Sequence, residues 1–299
     1  MTLVRVEDAT FSYPDGTRAL DGVTLEITRG EFVALIGQNG SGKTTLSKCL
    51  AGLLRPTRGR VVVDGIDTAS KGVMKDLVRR IGYVFQNPDH QLFNARVYDE
   101  IGYGPKNLGV PEAERDAIIR EVAAVTGLHP DLFGEHPFFL SKGLRQRVAI
   151  AATLAVRPQV IVVDEPTTGQ DYRQSIDVMD FLVRLRVERG HTIVIVTHEM
   201  PIVAAYAERV VALRGGRILM DGAAREVFSR PDVLAETFVK PPQATRLAHA
   251  WARNGVRGDA LTVDELVDAM RAALAARDGP PAGRLEAGAA HPPQEAGDV

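Results

Sequence analysis

The stretch Gly37-Gln38-Asn39-Gly40-Ser41-Gly42-Lys43-Thr44-Thr45 decides the fold of this chain. It follows an apolar run, residues 31–36, that is typical of a buried parallel strand, and it leads into residues 45–51, which favour a helix. A glycine-rich turn between strand and helix lets successive backbone N–H groups point inward, and the helix N-terminus adds a positive dipole end. The stretch is therefore predicted to be a phosphate-binding loop, in which Lys43 reaches the β- and γ-phosphates and the Thr44 hydroxyl binds Mg²⁺.

The bulk composition indicates a globular protein with a full core. The chain has 299 residues, 45% hydrophobic and 25% charged, which allows one large domain or two smaller ones. The formal net charge of −2 gives no support for a nucleic-acid partner. The single cysteine, Cys49, excludes a disulfide framework and is predicted to be a small buried residue. Because we find neither a signal-peptide pattern nor a membrane-spanning apolar run, any membrane role is expected to act through a partner.

Two kinds of strand pattern occur along the chain. Residues 4–27 alternate and turn like antiparallel β structure, and residues 60–65 add a short strand. Three apolar runs without alternation, residues 81–85, 160–163 and 192–196, are typical of a parallel sheet covered on both faces by helices. The chain is therefore predicted to be an α/β protein with an N-terminal antiparallel β-subdomain.

The strand signal disappears in residues 88–157, where residues 111–125 and 141–155 favour helices. We interpret this segment as a helical insertion within the α/β core. A hairpin over residues 210–220 follows the last parallel strand, and the core is expected to end there.

A Pro241-Pro242 pair marks a boundary, so residues 1–240 are predicted to form the main domain and residues 241–278 a small helical region. Its helices are expected over residues 244–254 and 262–277. Residues 279–299 are rich in Gly, Ala and Pro, and we expect them to be disordered. The second helix opens with the capping-box pattern Thr262-Val263-Asp264-Glu265, and its apolar residues are expected to line one face: Leu266, Val267, Met270 and Leu274.

An acidic pair, Asp164 and Glu165, follows directly after the apolar run 160–163. An isolated Asp-Glu pair would most simply cap a strand. In a chain that already carries a phosphate loop, it is interpreted as a second nucleotide motif, with Asp164 beside Mg²⁺ and Glu165 polarising a water for attack on the γ-phosphate.

The segment Leu140-Ser141-Lys142-Gly143-Leu144-Arg145-Gln146-Arg147 resembles the signature of the ATP-binding cassette (ABC) family, commonly Leu-Ser-Gly-Gly-Gln. The resemblance implies a P-loop NTPase (RecA-like) core with the signature in the helical insertion. It also implies that Ser141 and Gly143 contact the γ-phosphate of ATP held by a partner subunit. Two positions depart from the pattern: Lys142 replaces the first glycine and Leu144 replaces the glutamine.

Other positions match the family one by one, and the resemblance covers roughly residues 2–230. Tyr13 resembles the aromatic residue that stacks on adenine, and Gln86 the glutamine that senses Mg²⁺ and the attacking water. His198 resembles the switch histidine that touches the γ-phosphate, and Gly169-Gln170-Asp171 the loop that crosses the dimer interface. The implied ATP site also takes in the whole of the loop from Gly37 to Thr45.

Residues 85–93, Phe-Gln-Asn-Pro-Asp-His-Gln-Leu-Phe, resemble the ATPases of energy-coupling-factor importers, in which this stretch helps to grip a transmembrane scaffold. The resemblance implies an ATP-hydrolysing subunit that powers uptake of a vitamin or a transition-metal ion. Its expected partners are a second cassette, identical or different, an integral-membrane scaffold and a substrate-binding membrane subunit. Its expected location is the cytoplasmic face of the cell membrane.

Two alternatives stay open at this point. One is the ATPase subunit of another ABC importer or exporter. The other is a cassette without a transport role, acting on DNA or ribosomes. Against the second, the segment between Lys43 and Ser141 has no heptad run of the kind that DNA-repair members carry, and the chain contains one cassette where translation factors contain two.

Overall fold

The structure is a computed structural model that describes residues 1–277. Residues 279–299, for which the sequence predicts disorder, lie outside the described part of the chain. The strands are β1 (Thr2–Ser12), β2 (Arg18–Thr28), β3 (Phe32–Ile36), β4 (Arg58–Val63), β5 (Ile66–Asp67), β6 (Ile81–Val84), β7 (Val160–Asp164), β8 (Thr192–Val196), β9 (Arg209–Arg214) and β10 (Arg217–Ala223). The helices are α1 (Lys43–Leu50), α2 (Met74–Leu77), α3 (Val97–Asn107), α4 (Glu112–Thr126), α5 (Lys142–Leu154), α6 (Tyr172–Arg189), α7 (Met200–Tyr206), α8 (Ala224–Phe228), α9 (Pro231–Glu236), α10 (Gln243–Trp251) and α11 (Val263–Arg277).

A mainly parallel sheet forms the centre of the molecule, as the three apolar runs predict. Its strand order is β10-β9-β3-β8-β7-β6, and only the β9–β10 pair is antiparallel. A second sheet, antiparallel with the order β2-β1-β4-β5, is the predicted N-terminal subdomain. The α/β fold class is therefore confirmed.

The register of the parallel strands brings their carboxyl ends to one edge. Val84 is opposite Val163, and Asp164 is opposite Val196, which is also opposite Leu35. In an α/β sheet of this kind, ligands bind at the carboxyl edge of the strands. The segments that follow β3, β6, β7 and β8 therefore share the edge where a ligand is expected.

Both faces of the central sheet are covered, which explains why its strands do not alternate. In β3, Phe32, Ala34 and Ile36 belong to one buried cluster, whereas Val33 and Leu35 belong to another on the opposite face. The second cluster also contains Cys49, whose burial raises the pKa of its thiol to about 12. Among residues 1–277, no helix combines the length and the apolar character needed to cross a bilayer.

The helical insertion contains one helix more than the sequence indicates. Helices α4 and α5 occupy the two predicted positions within one residue at each end, but α3 was not predicted. Gly102, Gly104 and Pro105 lie inside α3 and lower its helix propensity, so its pattern is weak. Its buried residues Val97 and Ile101 pack in the same cluster as α4 and α5, and this packing stabilises the helix.

The core does not end at the β9–β10 hairpin, and that expectation was wrong. Helices α8 and α9 follow the hairpin, and both pack into the main cluster through Phe228 and Leu234, each 0% exposed. These helices have only five and six residues, too short to show helical periodicity in a sequence. Tertiary packing therefore decides their structure.

The two C-terminal helices form a small cluster of their own. In α11, Leu266 is buried, but Val267 and Leu274 are 38% and 58% exposed, so the expected four-residue face is only partly correct. Ala269 and Ala273 are buried instead. Small residues let α11 approach α10 closely, and this rotates the contact face away from the larger side chains.

The predicted capping box at the start of α11 forms in part, because Glu265 accepts from the backbone N–H of Leu261 and not from that of the N-cap Thr262. The Glu265 backbone N–H donates to Thr262 Oγ1 at 3.3 Å, and the Glu265 carboxylate accepts from the backbone N–H of Leu261 at 2.9 Å. The same carboxylate pairs with Arg225 of α8 at 2.8 Å, and this hydrogen bond lowers the pKa of Glu265. Helix α11 is thereby joined to the main domain.

We predict that Phe228→Ala lowers the free energy of unfolding by about 3–5 kcal/mol, because it leaves a cavity in the main core. Phe139→Ala is the matched control: this side chain is 83% exposed, and its loss should change the free energy by less than about 0.5 kcal/mol. Urea unfolding monitored by circular dichroism measures both. Equal effects would show that α8 is not part of the core.

Candidate nucleotide site

The loop between β3 and α1 has the geometry that the sequence predicts. Gly37 and Gly42 have positive φ values of 146° and 105°. A Cβ at Gly37 would overlap the carbonyl of Leu213, and one at Gly42 would overlap the carbonyl of Ala19. Only glycine fits these two positions. The backbone is therefore fixed in a curl that ends at the first turn of α1.

Lys43 lies inside this curl. Its ammonium donates to the carbonyls of Gly37 and Gln38 at 2.8 and 2.9 Å, and the residue is 6% exposed. Burial lowers the pKa of Lys43, while the carboxylates of Glu165 and Asp164 act in the opposite direction. The ammonium is thus placed where phosphate oxygens can replace the two carbonyls as its partners.

A cavity of about 500 Å³ opens beside the loop. It brings together most of the predicted site residues, from the antiparallel subdomain, the loop and the edge of the parallel sheet. Three residues that the sequence analysis did not select, Thr17, Arg18 and Ala19, also line it. The predicted residues that line it are Tyr13, Asn39, Gly40, Gly42, Lys43, Thr44, Thr45, Gln86, Glu165 and His198.

The remaining loop residues lie around this cavity. Gly37 and Gln38 border a neighbouring cavity of about 560 Å³, which His198 and Asn39 also line. Ser41 is 1% exposed, and its Oγ has no hydrogen-bond partner. A buried hydroxyl without a partner is unfavourable. Ser41 is therefore suited to interact with a bound oxygen atom.

Tyr13 stands at the rim of the cavity. Its ring makes an edge-to-face contact with Phe11, with centroids 5.0 Å apart, and its hydroxyl is 3.0 Å from Thr45 Oγ1. The side chain is 38% exposed, so part of the ring remains free. Stacking of Tyr13 on an adenine stays a prediction.

Glu165 and His198 form a hydrogen-bonded pair at the edge of the sheet. Nδ1 of His198 is 2.9 Å from Glu165 Oε1. Glu165 is 9% exposed and has φ 50°, and its backbone N–H donates to the carbonyl of Val196 at 2.7 Å. A positive φ at a non-glycine residue is strained, and of the five such residues in the described chain Glu165 is the one that lines this cavity. The pair is placed to act on a group bound at Lys43.

Asp164 is held by a residue that the sequence analysis missed. The Tyr83 hydroxyl donates to Asp164 Oδ2 at 2.9 Å and is 3.3 Å from Ser47 Oγ. Burial raises the pKa of Asp164 and that of Tyr83. The other carboxylate oxygen, Asp164 Oδ1, is buried without a partner. A hydroxyl in the otherwise apolar run 81–85 was the signal that could have identified Tyr83.

The signature segment lies apart from this cavity. Ser141 caps α5, and its Oγ accepts from the Leu144 backbone N–H at 3.4 Å. Ser141 is exposed and Gly143 half-buried, and neither is among the described residues that line the cavity. Ser141 and Gly143 therefore do not line the cavity of their own chain, and their contact with a nucleotide held by a partner subunit stays a prediction.

Comparison with known proteins assigns the family. Residues 20–168 match the ABC transporter family. An energy-coupling factor transporter ATP-binding protein from Symbiobacterium thermophilum is 39% identical over 280 residues, which cover 91% of this chain and 97% of that protein. The chain belongs to the ABC transporter ATP-binding proteins. Within them it is similar to the energy-coupling factor group.

Two solved structures of ABC cassettes resemble the fold. One is cbiO1 from Clostridium perfringens, part of the ABC transporter complex cbiONQ, with a TM-score of 0.71, 36% identity, and coverage of 84% of this chain and 99% of that one. The other is a dimeric cassette in a post-hydrolysis state bound to ADP and Pi, with a TM-score of 0.68, 30% identity, and coverage of 74% and 99%. The chain spans about half the length of the first curated relatives it matches.

Membership of this family agrees with a site for ATP at this cavity. Within the described residues 1–277, no group of three or more His, Cys, Asp or Glu side chains is arranged to hold a metal ion. The Lys43 ammonium, the glycine-rich curl and the Glu165–His198 pair all border the cavity.

Proposed function

We propose that this chain is the ATP-hydrolysing subunit of an energy-coupling-factor type ABC importer, and that it powers uptake of a vitamin or a transition-metal ion through ATP-driven closure of a dimer. One observation carries the dimer: the chain holds the phosphate loop and its signature segment at separate places. Each cassette of the dimer then supplies one half of each of the two ATP sites. The partner cassette is an identical or a different chain, and related cassettes form dimers.

Hydrolysis would use groups already in contact. ATP and water yield ADP and phosphate, and the attacking water is oriented by the Glu165 carboxylate, which accepts its proton. His198 Nδ1 contacts Oε1 of that carboxylate at 2.9 Å, and in the proposed site its ring would contact the γ-phosphate. Lys43 would exchange the carbonyls of Gly37 and Gln38 for phosphate oxygens. Ser141 and Gly143 of the partner cassette close the site from the other side.

Mg²⁺ fits the residues present. Asp164 Oδ1 is a buried carboxylate oxygen without a partner, while Thr44 and Gln86 line the cavity. Oxygen ligands of this kind, completed by phosphates and water, are those that Mg²⁺ prefers. When bound, Mg²⁺ would neutralise charge on the β- and γ-phosphates. We infer that Tyr83 orients Asp164 so that Oδ1 faces the ion.

Helix α5 would carry the motion of closure outward. The segment 87–93, which follows Gln86, is tied to α5 at two places. Asp89 pairs with Arg145 at 2.8 Å, and the Gln91 amide donates to the carbonyl of Ala149 at 3.1 Å. A displacement of α5 at the signature end therefore moves this segment.

ATP can bias the membrane partner only by its difference in affinity for the open and the closed dimer. A switch from 1:99 to 99:1 between these two states needs a difference of about 5.5 kcal/mol.

An exposed aromatic pair marks the surface proposed to meet the membrane scaffold. Phe93 and Tyr103 are 63% and 43% exposed, and their rings make an edge-to-face contact with centroids 4.7 Å apart. Exposed aromatic groups of this kind are typical of protein interfaces. The scaffold and the substrate-binding membrane subunit would place the cassette at the cytoplasmic face of the cell membrane.

Glu165→Gln should reduce ATP turnover by at least about 100-fold, because the carboxylate that accepts the proton is lost. The variant should still bind ATP and accumulate as a dimer in its presence. Phosphate release and size-exclusion chromatography measure the two properties. Glu188→Gln, an exposed change at the end of α6, is the control and should behave like the parent. Near-parental turnover by Glu165→Gln would refute the assigned role.

Tyr83→Phe should weaken binding of MgATP roughly tenfold, because Asp164 loses the hydrogen bond that orients it. Binding of ATP in EDTA should not change. Titration of a fluorescent ATP analogue, with and without Mg²⁺, gives both affinities. Tyr98→Phe removes a comparable hydroxyl that donates to Asp116 in the insertion, so it should alter neither. An equal loss of affinity with and without Mg²⁺ would contradict the role of Tyr83.

The importer assignment predicts that integral membrane proteins co-purify with the chain in mild detergent. Phe93→Asp should release them without changing ATP affinity, because it puts a charge in the proposed interface. Val187→Asp, at a site on α6 that is 71% exposed, is the matched control and should retain them. Recovery of ribosomes or DNA in place of membrane proteins would refute the importer.

A further inference from the structure

Lys142 stands where the signature segment departs from the family pattern, and its side chain has a defined partner. The ammonium donates to the backbone carbonyl of Thr168 at 2.7 Å. Thr168 belongs to the loop between β7 and α6. Lys142 does not line the cavity beside the phosphate loop of its own chain. Its contact is therefore with the segment that follows Glu165.

Thr168 is in turn bound to Glu165. The Thr168 hydroxyl donates to Glu165 Oε2 at 3.3 Å, and its backbone N–H donates to the Glu165 carbonyl at 3.3 Å. A second contact from α5 supports the same loop: the Gln146 amide donates to the carbonyl of Pro166 at 2.8 Å. The start of α5 is thus connected to the carboxylate through Thr168.

The position of Lys142 needs a compensating contact. A cation in the first turn of a helix is unfavourable, because it opposes the helix dipole. The Thr168 carbonyl accepts the charge-assisted hydrogen bond that offsets this cost. The fit also depends on Gly169, which has φ 73°, because a Cβ there would overlap the Lys142 ammonium. Lys142 and Gly169 are therefore matched to each other.

We propose that Lys142 is a positioning residue that couples the two ATP sites of the dimer. Lys142 fastens the start of α5 to the loop that carries Thr168. A phosphate bound at Ser141 and Gly143 in one ATP site therefore fixes the position of the Glu165 carboxylate in the second ATP site. This inference rests on the dimer in the proposed function. It assigns no direct contact between Lys142 and ATP.

The first test compares Lys142→Met with Lys142→Arg in steady-state ATP hydrolysis. Methionine keeps the aliphatic stem and removes the ammonium, so kcat should fall roughly tenfold, as expected for one lost charge-assisted hydrogen bond. KM should stay within about twofold of the parent, and the Hill coefficient for ATP should fall toward one. Arginine can still donate to the carbonyl and should restore most of kcat and the Hill coefficient. A Lys142→Met variant with the parental kcat and Hill coefficient overturns the proposal.

The second test is a double-mutant cycle with Gly169→Ala. Alone, this change displaces the ammonium and strains the backbone, and kcat should fall at least as far as in Lys142→Met. In the Lys142→Met background, the aliphatic part of the side chain lies at ordinary contact distance from the new Cβ. Only the backbone strain at residue 169 then lowers kcat. The product of the two single-variant decreases in kcat should then be clearly larger than the decrease measured for the double variant. Independent, multiplicative losses would refute the match between the two residues.

A third measurement separates this inference from the dimer itself. Glu165→Gln and Glu165→Gln/Lys142→Met are compared by size-exclusion chromatography in ATP, and both should form the dimer. If Glu165→Gln forms no ATP-dependent dimer, the proposed function fails and the coupling fails with it. If both form the dimer and Lys142→Met hydrolyses ATP as the parent does, only the role of Lys142 is refuted.

Discussion

The register of the parallel strands is the constraint on which the nucleotide site depends. Strands β3, β6, β7 and β8 end at one edge, and each is fully buried along its length. The phosphate loop, Gln86, Asp164 with Glu165, and His198 all follow these ends. A shift of one strand by one residue would exchange the side chains that pack in the two buried clusters and would displace its functional side chain by one position. Burial on both faces of the sheet prevents such a shift, so the core stabilises the geometry of the site.

Helix α5 links parts of the molecule that are remote in sequence. Its first residues carry the signature, and its middle contacts the segment after Gln86 through Arg145 and Ala149. Lys142 and Gln146 hold the loop after β7. One helix therefore carries the signature segment proposed to face a partner cassette, and it contacts both the segment proposed to meet a membrane partner and the loop beside Glu165. These contacts favour movement of the three regions as one body.

The sequence predicted the features that depend on local pattern. Four strands of the parallel sheet, the loop at residues 37–45 and the helices α4 and α5 have long or strongly apolar signals. It missed α3, where Pro105 interrupts the pattern, and it missed α8 and α9, which are too short to show a period.

Contacts between residues that are far apart in the sequence could not be predicted from it, for another reason. Tyr83 and Asp164 are 81 positions apart, and Lys142 and Thr168 are 26 apart, so only the folded chain brings them together. The sequence therefore identified most of the residues that line the cavity, but not Tyr83 and Thr168, which hold Asp164 and Glu165. The exposed Val267 and Leu274 show the same limit, because the alanines that α10 approaches decide which face of α11 is buried.

In the proposed mechanism, the left-handed backbone at Glu165 prepares the chemical step during folding. A non-glycine residue in this conformation costs about 1–3 kcal/mol, and the packed strands on either side offset that cost before any nucleotide arrives. The carboxylate is thus preorganised, and little reorganisation energy is left for the moment of reaction. Replacing Glu165 with glycine would relieve the strain and remove the carboxylate together. Stability and activity are therefore opposed at this single position.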